Sequence, residues 1–255
     1  MTLRTVLGFF IATAIALIAR RARSLSPSGA IAAVVVGTIA ASAGWNWGLL
    51  LILYFAGSTA LSHFGRVEKE RRTESTVAKG GERDATQVLA NGLVFTVGAA
   101  AHWFPLAAGA LAASAADTWA TEIGTLYGQH PRSVLTRKRV PPGTSGGVSA
   151  VGTLAAVAGA CFIGALVKVL RFAQDDGVVV AIVAGGIAGA FADTLIGATI
   201  QSRRWCDRCR TDTERPVHVC GAATTKRRGI GWLDNDAVNF IATLAGGLLA
   251  ALMSR

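Results

Sequence analysis

The chain has 255 residues and a formal net charge of +10, yet only 16% of its residues are charged and its mean hydropathy is +0.47. Several apolar runs approach the ~20 residues needed to cross a bilayer, which excludes an ordinary water-soluble domain and predicts an all-α polytopic membrane protein. The positive charge does not point to nucleic acid, because the basic residues fall between the apolar runs, where the positive-inside rule accounts for them.

Eight helical spans are predicted, at residues 5–19, 29–44, 45–62, 87–101, 104–124, 147–170, 178–200 and 237–253. The first could pass for a signal peptide. Little charge precedes it, however, and Arg20, Arg21 and Arg23 stand where a cleavage site should lie, so it reads as a span. With eight spans, alternate connections share a side. Loops 20–23, 66–83, 132–139 and 203–228 hold 21 of the 25 Lys and Arg residues. They are expected to face the cytoplasm of a bacterial- or archaeal-type inner membrane, with both termini outside. The other side receives AGWNW, AHWFP and RFAQDDG, with Trp45, Trp47 and Trp103 as an aromatic belt.

The chain is read as one membrane domain, 1–255, with a weak internal echo. SGAIAAVVVGT from Ser28 resembles SGGVSAVGT from Ser145, and AGSTALSHFG from Ala56 resembles AGAFADTLIG from Ala188. A parallel duplication of segment 26–125 in segment 140–255 is expected, with a Cys/His loop at 202–229 inserted in the second copy. Chance likeness between small-residue-rich spans is the alternative.

The fifth run ends in LAASAADTWATEIG. At about 100° per residue, Ser114, Asp117, Thr118, Thr121 and Glu122 fall within an arc of about 140°, giving an apolar helix one acidic, hydroxyl-rich face. An ionised Asp in a span is costly and marks a functional site by default. The seventh span adds Asp193, Thr194 and Gln201; the fourth begins with Arg83, Asp84, Gln87 and Asn91; the eighth begins with Asp236, Asn239 and Thr243. Carboxylates gathered at one depth suit Mg²⁺, which prefers oxygen ligands. Mutual hydrogen bonding between helices would explain an isolated Asn, but three buried Asp residues need a counter-charge.

The loops between the spans suit phosphate. TRKRVPPGTSGGVSAVG joins Arg137, Lys138 and Arg139 to Gly143, Thr144, Ser145, Gly146 and Gly147 and then opens a helix. Glycines let backbone N–H groups approach an anion at a helix N-terminus. The GxxxxGK[ST] spacing is absent, so this is no P-loop, and a plain helix-entry turn is the alternative. KGGERD adds Lys79, Gly80, Gly81, Arg83 and Asp84. In CDRCRTDTERPVHVC, Cys206, Cys209, His218 and Cys220 offer three thiolates and an imidazole, a donor set for structural Zn²⁺; loop thiols without metal are the alternative. Cys161 is expected to pack in its helix, and His63 and His102 are given no chemistry.

KGGERDATQVLANG, AASAADTWATEIG, RKRVPPGTSGGVSAVGT, GAFADTLIGATIQ and DNDAVNF occur in this order. On these motifs, nearly the whole chain resembles the domain-of-unknown-function-92 integral membrane family, which includes the plant phytyl-phosphate kinases and transmembrane protein 19. That family is similar to membrane enzymes that use CTP, the polyprenol kinases and the phosphatidate cytidylyltransferases. The resemblance implies phosphoryl transfer from a nucleoside triphosphate, CTP in the first instance, to an isoprenoid monophosphate such as phytyl or geranylgeranyl phosphate. The expected roles follow. Asp117, Asp193, Asp236 and Glu122 hold Mg²⁺; residues 143–147 with Lys138 and Arg139 cradle the triphosphate, helped by Asn91 and Asn239; Lys79 and Arg83 hold the acceptor phosphate; and the tail lies between helices, among membrane lipids. Three rivals stand beside this reading: a transporter of a small anionic or lipid solute, a lipid-phosphate cytidylyltransferase, and a scaffold with a zinc loop.

Overall fold

A computed structural model describes residues 3–173 and 175–255; Gln174 of the predicted outer loop RFAQDDG lies outside the described residues. Each of the eight apolar runs forms a helix, though the sixth is helical only from residue 150. In chain order the helices are α1 (Leu3–Arg21), α2 (Pro27–Ala43), α3 (Trp45–His63), α4 (Arg66–Thr73), α5 (Ala85–Ala100), α6 (Phe104–Tyr127), α7 (Ala150–Val169), α8 (Asp176–Thr199) and α9 (Asn235–Met253). By length and composition, α1, α7, α8 and α9 can each cross a membrane, and the pair α3–α4, bent by 71°, makes a fifth candidate; α2 and α5 are shorter apolar helices. α6 is long enough, but its second half carries Asp117, Thr118, Thr121 and Glu122.

Local signals set the helix starts. Ser26 caps α2 by accepting from Gly29 N at 3.1 Å, with Pro27 at the first position. Asp84 and Gln87 close a capping box on α5. Ser149, Asp175 and Asp234 cap α7, α8 and α9. The loops of this predicted all-α chain hold two small antiparallel sheets. One pairs β1 (Arg132–Ser133) with β2 (Gly147–Val148); the other has order β4-β3-β5, from β3 (Arg203–Cys206), β4 (Thr211–Thr213) and β5 (Thr225–Arg228).

α6 is the central helix. It packs on α3, α4, α5, α7, α8 and α9, and every residue from Leu106 to Ala116 is buried. Small residues permit this: a Cβ on Gly186 of α8 would come within 2.7 Å of Ala112 Cβ, and one on Gly159 of α7 within 2.7 Å of the Ala115 carbonyl oxygen. Two expectations fail at the surface. Trp45 and Trp103 are exposed as a belt requires, but Trp47 is buried, its ring 5.2 Å from that of Phe172 and 5.8 Å from that of Phe104. Cys161 does not pack inward; it is exposed on α7.

Candidate active site

At one end of the bundle a cleft of about 480 Å³ takes lining residues from the connections α1–α2, α4–α5, α6–α7 and α8–α9, among them Arg23, Arg83, Gly143 and Glu214. Its floor is the polar half of α6, with Asp117, Thr118 and Thr121, facing Asp193 and Thr194 of α8. Gln87 and Asn91 of α5 and Asn239 of α9 form walls. Residues Gly143, Thr144, Ser145, Gly146 and Gly147 form part of the rim. Gly146 is required there: its φ is 77°, and a Cβ would come within 2.8 Å of the backbone nitrogen of Ala198.

The carboxylates fall into two groups. Glu122 accepts from Lys69 Nζ at 2.5 Å and from Ser62 Oγ at 2.6 Å. Lys69, buried on α4, also donates to the carbonyls of Leu61 and Ser62, which exhausts its three protons. Asp236 accepts from Lys79 Nζ at 2.5 Å and Thr86 Oγ1 at 2.9 Å, and Lys79 further donates to Asp84 at 2.8 Å and to Thr86. Burial works against the charge on Lys79, but its bonds to Asp236 and Asp84 outweigh it and hold the ammonium above its usual pKa. Burial also opposes the charge on Asp84, yet donation from Lys79, Thr86 and the Gln87 N–H holds its carboxyl at about 2.

Asp117 and Asp193 have no such partner. Among the described residues neither makes an ion pair. Asp193 Oδ2 is buried without a hydrogen bond, and both carboxylates line the same cleft. An unpaired buried carboxylate is costly, and two in one cleft more so. Oxygen donors of this kind fit a hard divalent cation; Asp236 Oδ1 is likewise buried without a partner among the described residues.

The sequence-predicted residues therefore separate. Asp117 and Asp193 come together. Glu122 lines the same cleft but is neutralised by Lys69, and Asp236 is held at the start of α9 by Lys79 instead of joining the pair. Lys79 spends its donors on protein. Arg83 keeps an open cationic face: it donates to Ser62 Oγ at 3.0 Å and Thr59 Oγ1 at 3.3 Å, lies 5.9 Å over the Phe55 ring, and pairs with no carboxylate among the described residues. Asn91 accepts from Ser114 Oγ, which also bonds Tyr54 OH at 2.6 Å. Lys138 and Arg139 are exposed on the turn between β1 and β2 and do not line the cleft. Sequence reasoning missed Lys69, Ser62, His63 and Glu214. His63 Nε2 lies 2.8 Å from Ser24 Oγ at the cleft wall. Glu214 accepts from Ser145 Oγ at 2.6 Å and Gln201 Nε2 at 3.0 Å, tying the Cys/His loop to the glycine-rich rim; burial raises its carboxyl despite these donors.

In that loop one donor atom from each of Cys206, Cys209, His218 and Cys220 lies within 4.8 Å of the others. Cys206 Sγ is 3.7 Å from Cys220 Sγ, and His218 Nδ1 is 3.3 Å from Cys220 Sγ. A tetrahedron with arms of about 2.3 Å has edges of about 3.8 Å, so the four atoms fit zinc. The His218 ring holds the Cys220 thiol down at about 6, while Cys220 holds Cys209 up at about 11, as expected of thiols sharing protons in one cluster.

Fold and site together define a helical-bundle integral membrane protein, with small sheets in its loops and a charged cleft at one end of the bundle. The chain belongs to the integral membrane protein DUF92 family, whose family model matches residues 10–247. It is 30% identical over 282 residues to Protein PGR of Arabidopsis thaliana, covering 98% of this chain and 96% of that one. It is 31% identical over 263 residues to the membrane protein MJ0933 of Methanocaldococcus jannaschii, covering 99% and 97%. It is 30% identical over 243 residues to Protein VTE6, chloroplastic, of Arabidopsis thaliana, covering 91% of this chain and 66% of that one. No solved structure matches.

Proposed function

We propose that the cleft transfers the γ-phosphoryl group of a nucleoside triphosphate, CTP in the first instance, to an isoprenoid monophosphate such as phytyl or geranylgeranyl phosphate. An oxygen of the acceptor phosphate attacks the γ-phosphorus, the bond to the β-phosphate oxygen breaks, and the nucleoside diphosphate leaves with that electron pair. The positive-inside rule, applied to the basic connections around the cleft, supports a cytoplasmic location for this chemistry. The observation that carries the reading is the division of charge within one cleft: Asp117 and Asp193 without a cation, and Arg83 without an anion, among the described residues. Kinship with VTE6, and the resemblance to phytyl-phosphate kinases carried by the ordered motifs, support it.

Asp117 and Asp193 are the residues that would hold Mg²⁺, which when bound would offset the charge on the phosphates. Arg83 grips the acceptor phosphate, with a guanidinium suited to two parallel hydrogen bonds. That phosphate has a second pKa of about 6 and is ionised near neutral pH, so no strong general base is needed; positioning and charge neutralisation dominate. Residues 143–147 face the triphosphate, with Asn91 and Asn239 at its flanks. Lys69 and Lys79 fix the acids around the cleft, and the Cys/His loop, with structural Zn²⁺, braces the rim through Glu214.

The test uses purified protein in detergent with Mg²⁺, γ-labelled CTP or ATP, and phytyl or geranylgeranyl monophosphate. Labelled lipid diphosphate and unlabelled nucleoside diphosphate are expected. Label released as pyrophosphate, with an unlabelled nucleotidyl lipid formed, would replace the kinase with a cytidylyltransferase. No lipid label from folded protein, together with solute flux in liposomes, would replace it with a transporter.

A further inference from the structure

A second cavity, about 360 Å³, opens between α1, α2, α3 and α5. Its walls are aliphatic and aromatic, from Ile11 and Ile15 of α1, Val36 of α2, and Leu49, Ile52 and Phe55 of α3. The gap has a structural cause. α1 packs chiefly on α2, and α3 and α5 pack on α2 and α6 more than on each other, so α1 stands away from α3 and α5. Close contact seals the α1–α2 side: a Cβ on Gly37 would come within 2.9 Å of Ala12 Cβ.

The polar lining is not spread through this cavity. Arg83, Gln87, Asn91 and Thr118 also line the charged cleft, so the two cavities meet at these side chains. Tyr54, the remaining hydroxyl, is spent on Ser114. Thr118 stands next to Asp117 in the chain. From this junction the groove runs away from the cleft along α3, whose Thr59, Ser62 and His63 line the cleft and whose residues 45–55 line the groove. Ten residues of helix span about 15 Å, the length of a chain of several isoprene units. Arg83 is fixed at the mouth: its N–H donates to the Ser24 carbonyl and its own carbonyl accepts from Ser26 N, both at 3.0 Å, so the turn between α1 and α2 pins its backbone.

We propose that this groove is the tail site of the acceptor, holding a single isoprenoid chain along α1, α2 and α3 while Arg83 holds the phosphate at the junction. The inference rests on the kinase reading and specifies it. A phosphate on Arg83 lies beside Thr118 and Asp117, and its hydrocarbon has one continuous apolar path, away from the charged cleft. The groove therefore sets both the depth of the head group and the tolerated chain length.

The experiment uses the full chain in lipid nanodiscs with a geranylgeranyl monophosphate bearing a diazirine near its far end. Photolysis followed by peptide mass spectrometry is expected to place the label on residues 8–16 or 45–52, and phytyl monophosphate is expected to compete it away. Label confined to the outer faces of α7, α8 or α9, or label that phytyl monophosphate does not displace, overturns the proposal. This readout needs no turnover, so a failed kinase reading and a failed tail site give different results. A second measurement uses Leu49→Trp, at a position 43% exposed and able to accept bulk. Its kcat/KM should fall by about tenfold for the geranylgeranyl acceptor and change little for the geranyl one, the scale of discrimination apolar pockets achieve. An equal change for both chain lengths would contradict the assignment.

Discussion

The two halves of α6 lie in opposite surroundings. From Leu106 to Ala116 every residue is buried against neighbours brought close by glycine and alanine. From Asp117 to Glu122 the same helix lines a cleft, and two carboxylates of that cleft, Asp117 and Asp193, lack any basic partner among the described residues. The first half stabilises the bundle by contact. The second holds charge that the fold leaves uncompensated, although Glu122, at its end, is neutralised by Lys69. A fold that supplies lysines to Glu122 and Asp236 but none to Asp117 and Asp193 divides neutralised acids from uncompensated ones.

The largest effect expected from breaking this division is on turnover. Asp117→Asn or Asp193→Asn should lower lipid phosphorylation by about 10²–10³-fold, with the melting midpoint unchanged or raised because an unpaired buried charge is gone. Wild-type-like rates at saturating Mg²⁺ would sink the assignment. The structural acids should behave in reverse. Lys69→Met should destabilise by about 3 kcal/mol, near the low end for a broken buried pair because the Glu122 side chain is 22% exposed. Adding Glu122→Gln should restore most of that loss, which chemical denaturation in detergent would measure.

In the packed half, Gly186→Leu should cost about 1–3 kcal/mol by the same assay, because its Cβ meets Ala112. Metal analysis should find one zinc per chain, lost in Cys206→Ser together with a drop of about 5 °C in melting midpoint. The smallest effect belongs to the double variant Lys138→Ala and Arg139→Ala. Exposed outside the cleft, these side chains should alter KM for nucleotide by less than about twofold, as weak, screened surface charges do.

Much of this was legible in the sequence, for reasons that residues make plain. The eight helices follow from apolar runs, and Asp117 stood out because a carboxylate in such a run is expensive. What stayed hidden was non-local. The lysines that neutralise Glu122 and Asp236 lie 53 and 157 positions away in the chain. α4 has the charged sequence RVEKERRT, with no apolar face to show that Lys69 would be buried. Trp47 read as a boundary residue because Phe95, Phe104 and Phe172, which enclose it, come from three other segments. Lys138 and Arg139 sit close in sequence to the glycine-rich loop, yet they fold back to pair with Ser133 and Arg132 and lie outside the cleft.

The most direct test of the central claim is Mn²⁺ binding, read by electron paramagnetic resonance on purified protein with CTP present. Mn²⁺ shares the oxygen-ligand preference of Mg²⁺. One tightly held Mn²⁺ per chain is predicted for the wild type, and none for the double variant Asp117→Asn and Asp193→Asn. Equal binding by both proteins would show that these carboxylates do not hold the cation and would contradict the account.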